Sequence, residues 1–301
     1  MSGIMRLGFV ETSVPDLAQA APFYEKILGL QKTAATQNAL YFKCWDEYDH
    51  HSVVLRQGSG PTLIRLGWKV ECDSDLAAAE RKIEAFGIPT QRISAQQELA
   101  MGEGISFTSP SGHVMVLYAA MEQVGKAFHV PDIMLRNPIG IAPLHIDHAF
   151  LTCEDPGLAA RFMTEVLNFR VTEQCIDHHG QTIVSFLART NTPHDIGFGG
   201  GANGKYHHVA YFIDTWEDVR RGAQILRDSE WPLDVPPSHH GGTRGQTIYF
   251  KDPGGNRLET FAGGYKTYPD FPVMNWQPEQ LDRMLFYFGG PPDLASWMQP
   301  I

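Results

Sequence analysis

IDHAFLTCEDPGLAARFMTEVLNF (residues 146–169) is the stretch whose reading decides the fold. It opens as a short strand. Asp155 stands where a helix is capped and Pro156 where its first turn begins, and an amphipathic helix follows. LGFVETSVPDLAQAAPFYEKILGL (residues 7–30) has the same plan, and laying LGFV on DHAF sets Gly8 opposite His148. Farther on, FTSPSGHVMVLY (residues 107–118) echoes YFKDPGGNRLETF (residues 249–261), with Val116 opposite Glu259. The chain therefore reads as a duplication. The predicted domains are residues 1–136 and 137–301, joined by the proline-bearing NPIGIAP (residues 137–143). Inside each copy the order strand, helix, several strands occurs twice, as in LIRLGWKVE followed by SDLAAAERKIEAFG and YHHVAYFID followed by WEDVRRGAQIL. Apolar residues recur with the strand and helix periods in turn. The predicted class is α+β: two tandem domains, each of two βαβββ modules curled into a half-open sheet cup.

Composition narrows the function. A net charge of -10 leaves no basic face for nucleic acid or an anionic membrane. No apolar run reaches the ~20 residues of a membrane helix, and MSGIMRLGFVETS lacks a charged-then-apolar leader pattern. The four cysteines, Cys44, Cys72, Cys153 and Cys175, form no CxxC pair or disulfide framework, which points to the reducing cytoplasm.

The histidines are unevenly shared. Nine of the 13 lie beyond residue 141. His148 falls in IDHAFL, His208 in YHHVAYF, and Glu259 in RLETF directly after the turn DPGG. Two imidazoles and one carboxylate from three strands make the facial set that holds Fe(II) and leaves other positions open. Taken singly, a strand histidine is more often a packed core residue, and a glutamate after a turn a solvated edge residue. The comparison of copies favours the metal reading: the first copy has Gly8 and Val116 at the matching places, and PTLIRLGWKVEC holds no histidine. Strand alternation puts Arg257, Glu259 and Phe261 on one face. The DPGG turn pairs that strand with QTIYF, bringing Tyr249 within reach of the metal. The pair His178–His179 reads as loop.

With these residues in view, the chain resembles the type I extradiol ring-cleaving dioxygenases of the vicinal oxygen chelate superfamily, the catechol 2,3-dioxygenase family above all. The resemblance runs through almost the whole chain. It is carried by HHGGTRGQTIYFKDPGGNRLETFAGGY, YPDFPVMNWQPEQLDRMLFYF, YFKCWDEYDHHSVVLR, PHDIGF, GKYHHVAYFIDTWEDV and MRLGFVETSVPD. It implies metal ligands at His148, His208 and Glu259, an acid–base histidine at His194 of PHDIGF, and pocket residues His240 and Tyr249. It implies Fe(II), with Mn(II) the lesser alternative, a catechol or its alkyl- or halo-substituted relatives plus O2 as substrates, and a homotetramer. It also leads us to expect the divergent ending PPDLASWMQPI to cover the pocket. The same scaffold serves metal lyases of the glyoxalase kind, which would not need His194, His240 and Tyr249, and metal-free binding proteins, which have no triad.

Overall fold

The computed structural model describes residues 3–124 and 138–301. The predicted domain boundary at 136/137 lies outside the described residues, as does the first residue of the predicted join. Two aspartates start the matching helices: the Asp16 carboxylate accepts from Ala18 N and Gln19 N, and that of Asp155 from Leu158 N. Each satisfies backbone donors that the first helical turn leaves without partners. The helices are α1 (Leu17–Pro22, running on as a π-helical turn, Phe23–Ile27), α2 (Asp73–Ala85), α3 (Pro156–Glu165), α4 (Trp216–Asp228), α5 (Leu281–Leu285) and α6 (Leu294–Trp297).

The first half supplies β1 (Ile4–Val14), β2 (Gln31–Ala35), β3 (Ala39–Lys43), β4 (Val53–Gln57), β5 (Thr62–Val70), β6 (Gln91–Ile93), β7 (Gly104–Thr108) and β8 (Val114–Tyr118). The second supplies β9 (His145–Cys153), β10 (Arg170–Ile176), β11 (Thr182–Ala188), β12 (Ile196–Gly200), β13 (Lys205–Phe212), β14 (Leu233–His239), β15 (Gly245–Lys251), β16 (Arg257–Gly263) and β17 (Met274–Trp276). They form an eight-stranded sheet in the order β2-β3-β4-β1-β5-β8-β7-β6 and a nine-stranded one in the order β14-β15-β16-β13-β9-β12-β11-β10-β17. Read from opposite ends the two orders match strand for strand, with β17 the single addition. The α+β architecture of four βαβββ modules is therefore present as expected.

The paired registers correct one expectation. Val10 faces Leu66 and Ala149 faces Val209, all four in the core, while Phe9 faces Gly67 and His148 faces Ala210. Phe9, not Gly8, is thus the counterpart of His148. Gly8 matches Asp147, the residue skipped where the register shifts, and the two N-caps keep the same spacing as Phe9 and His148. Laying LGFV on DHAF instead sets the core residue Val10 on Phe150, which faces the cavity, so the match of letters is one residue out of register. A second matched bulge skips Ile64 in β5 and His207 in β13. Each bulge leaves two consecutive side chains near one face, where strict alternation would separate them.

One buried apolar cluster runs through both halves. Phe23 of the π-helical turn meets Trp231 and Phe250, and Phe162 of α3 meets Phe86 and Phe107. Tyr24 donates to Asp252 Oδ2 (2.8 Å), and Asn256 Nδ2 to Ser13 O (3.0 Å). Helices of each half thus close the core of the other, which leaves the opposite face of the second sheet free to form a cavity.

Candidate active site

Three strands bring the candidate ligands together. β9 presents His148, β13 His208 and β16 Glu259, and all three are buried. Glu259 Oε2 lies 3.3 Å from His148 Nε2 and 3.0 Å from His208 Nε2, and the two Nε2 atoms are 3.4 Å apart. Donors that share one ion at bonds of about 2.1 Å take such separations. The two Nδ1 atoms are engaged elsewhere: His148 Nδ1 donates to Asp147 Oδ2 (2.8 Å), and His208 Nδ1 lies 2.7 Å from His207 Nδ1. Glu259 Oε1 accepts from Thr247 Oγ1 at 2.6 Å. Each residue therefore keeps one donor atom that is not engaged by these outer partners, and the three converge, as a divalent ion requires. Both bulge residues, Asp147 and His207, serve as those outer partners.

Electrostatics agree with that geometry. Burial disfavours a charged His148, but Asp147 and Glu259 outweigh it and raise the imidazole to about 9. Burial dominates at His208 and lowers it to about 4. Glu259 is held well below the carboxylate range: burial opposes ionisation, and the surrounding imidazoles overcome it. A carboxylate kept ionised between two rings in the interior is a cation site by charge as well as by shape.

His194 packs against His148 with ring centroids 3.9 Å apart and planes tilted by 43°, and it meets the Phe186 ring edge-on at 4.7 Å. Burial and then the neighbouring His148 push it well below the usual imidazole value, and its Nδ1 has no partner among the described residues. It is thus kept neutral, with one ring nitrogen unpaired among the described residues. His240 Nε2 is 2.9 Å from Tyr249 Oη, and His240 Nδ1 donates to Leu285 O. Gly241 makes that contact sterically possible, since a Cβ there would lie 1.9 Å from Arg283 O of α5. Glu173 fixes the same loop, accepting from Thr243 N, Tyr265 Oη and Trp276 Nε1, each at 2.6 Å.

All six sequence-derived residues line one cavity of about 260 Å³, with Phe150, Ile183, Val184, Phe186 and Phe261 among its walls. Leu281, Met284, Leu285, Trp297 and Met298 of the C-terminal segment line it too. Sequence reasoning missed Asp147, His207, Thr247 and Trp297. The first two carried a signal, since each stands directly before a candidate ligand in the pairs DH and HH. His178 lies on the surface against Glu279, away from the site.

Fold and cluster together define a metal-dependent enzyme of the vicinal oxygen chelate type. Residues 145–260 match the model of the Glyoxalase/Bleomycin resistance protein/Dioxygenase superfamily, and residues 65–122 that of the Catechol 2,3-dioxygenase-like N-terminal domain. The metapyrocatechase of Pseudomonas sp. (strain CF600) is 36% identical over 95% of this chain and 94% of its own length. A manganese-dependent 2,3-dihydroxybiphenyl 1,2-dioxygenase of Geobacillus genomosp. 3 is 27% identical over 95% and 94%. Among solved structures, the 2,3-dioxygenase LapB of Pseudomonas sp. KL28 superposes with a TM-score of 0.87 at 35% identity, covering 93% of this chain and 99% of that one. Homoprotocatechuate 2,3-dioxygenase of Arthrobacter globiformis gives 0.87 at 27%, covering 99% and 92%. The chain belongs to the metapyrocatechase family of extradiol ring-cleaving dioxygenases.

Proposed function

We propose that this enzyme opens catechol, or an alkyl- or halo-substituted catechol, beside its two hydroxyls with O2. Both oxygen atoms enter the product, a 2-hydroxymuconic semialdehyde, and none leaves as water. The observation that carries this reading is the meeting, in one apolar-walled cavity, of three convergent donors and the neutral His194 ring. His148, His208 and Glu259 would hold the metal. The donor set suits both Fe(II) and Mn(II), and the resemblance favours Fe(II). One carboxylate leaves the loaded site net positive, a charge that a catecholate monoanion neutralises. When bound, the ion supplies the passage of electron density from ring to O2 that side chains alone cannot provide.

The chain's own residues do the remaining work. His194 takes the proton released by a catechol hydroxyl and later returns it to a product oxygen, a role suited to an imidazole kept neutral. His240 and Tyr249 hydrogen-bond the oxygens on which negative charge develops. Burial, followed by the nearby Glu259, pushes the Tyr249 phenol well above its ordinary value, so it stays protonated. Phe150, Phe186 and Phe261 wall the ring and exclude water. The described lining holds no lysine or arginine, so a carboxylate-bearing side chain would find no countercharge and uncharged substituents are preferred.

A homotetramer in a reducing cytoplasm completes the proposal, supported by the resemblance and by four unpaired cysteines, three of them buried. Among the described residues no helix is long and apolar enough to cross a membrane. The test is anaerobic loading with Fe(II), then catechol and air. We expect a yellow ring-opened product with one O2 consumed per catechol. A loaded protein that consumes no oxygen with any uncharged catechol would contradict the proposal.

A further inference from the structure

The last residues of the chain do more than wall the cavity. Ile301 N donates to Tyr206 O (2.7 Å), and Arg257 Nη1 bridges Gln299 O (3.0 Å) and His207 O (3.3 Å). The tail is therefore docked on β13 at its bulge. The Trp297 indole packs against the His207 ring with centroids 4.4 Å apart, and Trp297 O lies 2.7 Å from His207 Nε2. A carbonyl can only accept, so His207 Nε2 carries the hydrogen and the neutral ring presents a bare Nδ1. That Nδ1 is 2.7 Å from His208 Nδ1, which must then be the donor. The lone pair left to His208 is the one on Nε2, facing Glu259 Oε2. Reversing any link would set two donors or two lone pairs against each other in the interior.

We propose that the C-terminal tail is a positioning element of the metal centre: the Trp297 carbonyl, acting through His207, fixes the tautomer and ring orientation of His208 that leave Nε2 free to bind the ion. The two histidine ligands are thus held by different devices. His148 has a carboxylate of its own strand behind it, whereas His208 depends, through the His207–Trp297 bond, on a segment 90 residues further along the chain than His207. His207 and Trp297 are positioning residues, not catalytic ones. The proposal rests on the metal-site reading above.

The test measures metal affinity of the full-length, metal-free protein under anaerobic conditions, by Mn(II) electron paramagnetic resonance and Co(II) absorption. His207→Phe removes both links and should weaken binding about 10–100-fold, the usual effect of losing a ligand's outer partner. His207→Gln keeps a donor for Trp297 O and an acceptor for His208, so it should retain most of the affinity and the Co(II) spectrum. Trp297→Ala loosens the carbonyl and should weaken binding in the wild-type background, yet add nothing to His207→Phe, because a relay has one path. Wild-type affinity in His207→Phe, or losses that multiply in the double variant, would overturn the relay. A wild-type protein that binds no metal would instead defeat the metal-site reading beneath it, so the two failures are distinguishable. Thermal melting of each variant separates loss of the relay from loss of the fold.

Discussion

Where the second sheet carries His148, His208 and Glu259, the first carries Phe9, Arg65 and Val116, as the registers of β1 with β5, β5 with β8, β9 with β13 and β13 with β16 require. The outer partners change with them: Gly8 for Asp147, Ile64 for His207, Gly104 for Thr247 and Ser106 for Tyr249. Strand order and both bulges are kept. The first cup is closed by charge, since buried Glu11 pairs with Arg56 and Arg65, and Arg65 reaches Glu98 at 2.8 and 3.0 Å. A histidine survives in both cups. His51 takes the place of His194: Ser52 N donates to Phe42 O as Asp195 N does to Leu187 O, each at 2.9 Å. The His51 ring packs on Phe9 and Tyr41 where His194 packs on His148 and Phe186. Burial lowers His51 to about 3. The scaffold thus offers a buried, neutral imidazole in either half, and in the proposed function only the one beside the candidate ligands does chemistry.

That contrast can be broken at several points. His194→Phe should keep its metal and lose about 10²–10⁴-fold in turnover, the range for removing an acid–base group; steady-state oxygen uptake with metal analysis checks it, and near-native rates would end the assignment. Glu11→Ala leaves Arg56 and Arg65 with Glu98 as the carboxylate they share and should cost about 1–3 kcal/mol of stability. Denaturant melts should show this, while turnover per folded molecule stays unchanged; a drop in that turnover would mean the first cup takes part in catalysis. Asp147→Ala should weaken metal binding about 10–100-fold through the freed ring of His148, read by chelator competition. The smallest effect belongs to His51→Phe. Turnover and metal content should match the parent, and a large loss there would erase the distinction between the cups.

The sequence already carried the duplication, the module order and the uneven histidines, because caps, turns and apolar periods are local. At Gly8 the match of letters is one residue out of register, because strand pairing and burial, not residue similarity, decide which positions correspond. His194 and His240 were reachable through resemblance only: His194 stands beside His148 by strand pairing, and His240 is held by α5 through Leu285 O. The grip of Trp297 O on His207 and of Glu173 on the loop at Thr243 joins residues far apart in sequence, and no local pattern announces such contacts.

In the proposed function one cup alone binds metal and acts. The most direct test of this is metal stoichiometry and oxygen uptake in wild type and Glu259→Ala, both loaded anaerobically with Fe(II). The wild type should hold one ion per chain with catechol-dependent uptake, and Glu259→Ala background metal with no uptake. A second ion per chain in the wild type, or full occupancy and turnover in Glu259→Ala, would contradict it.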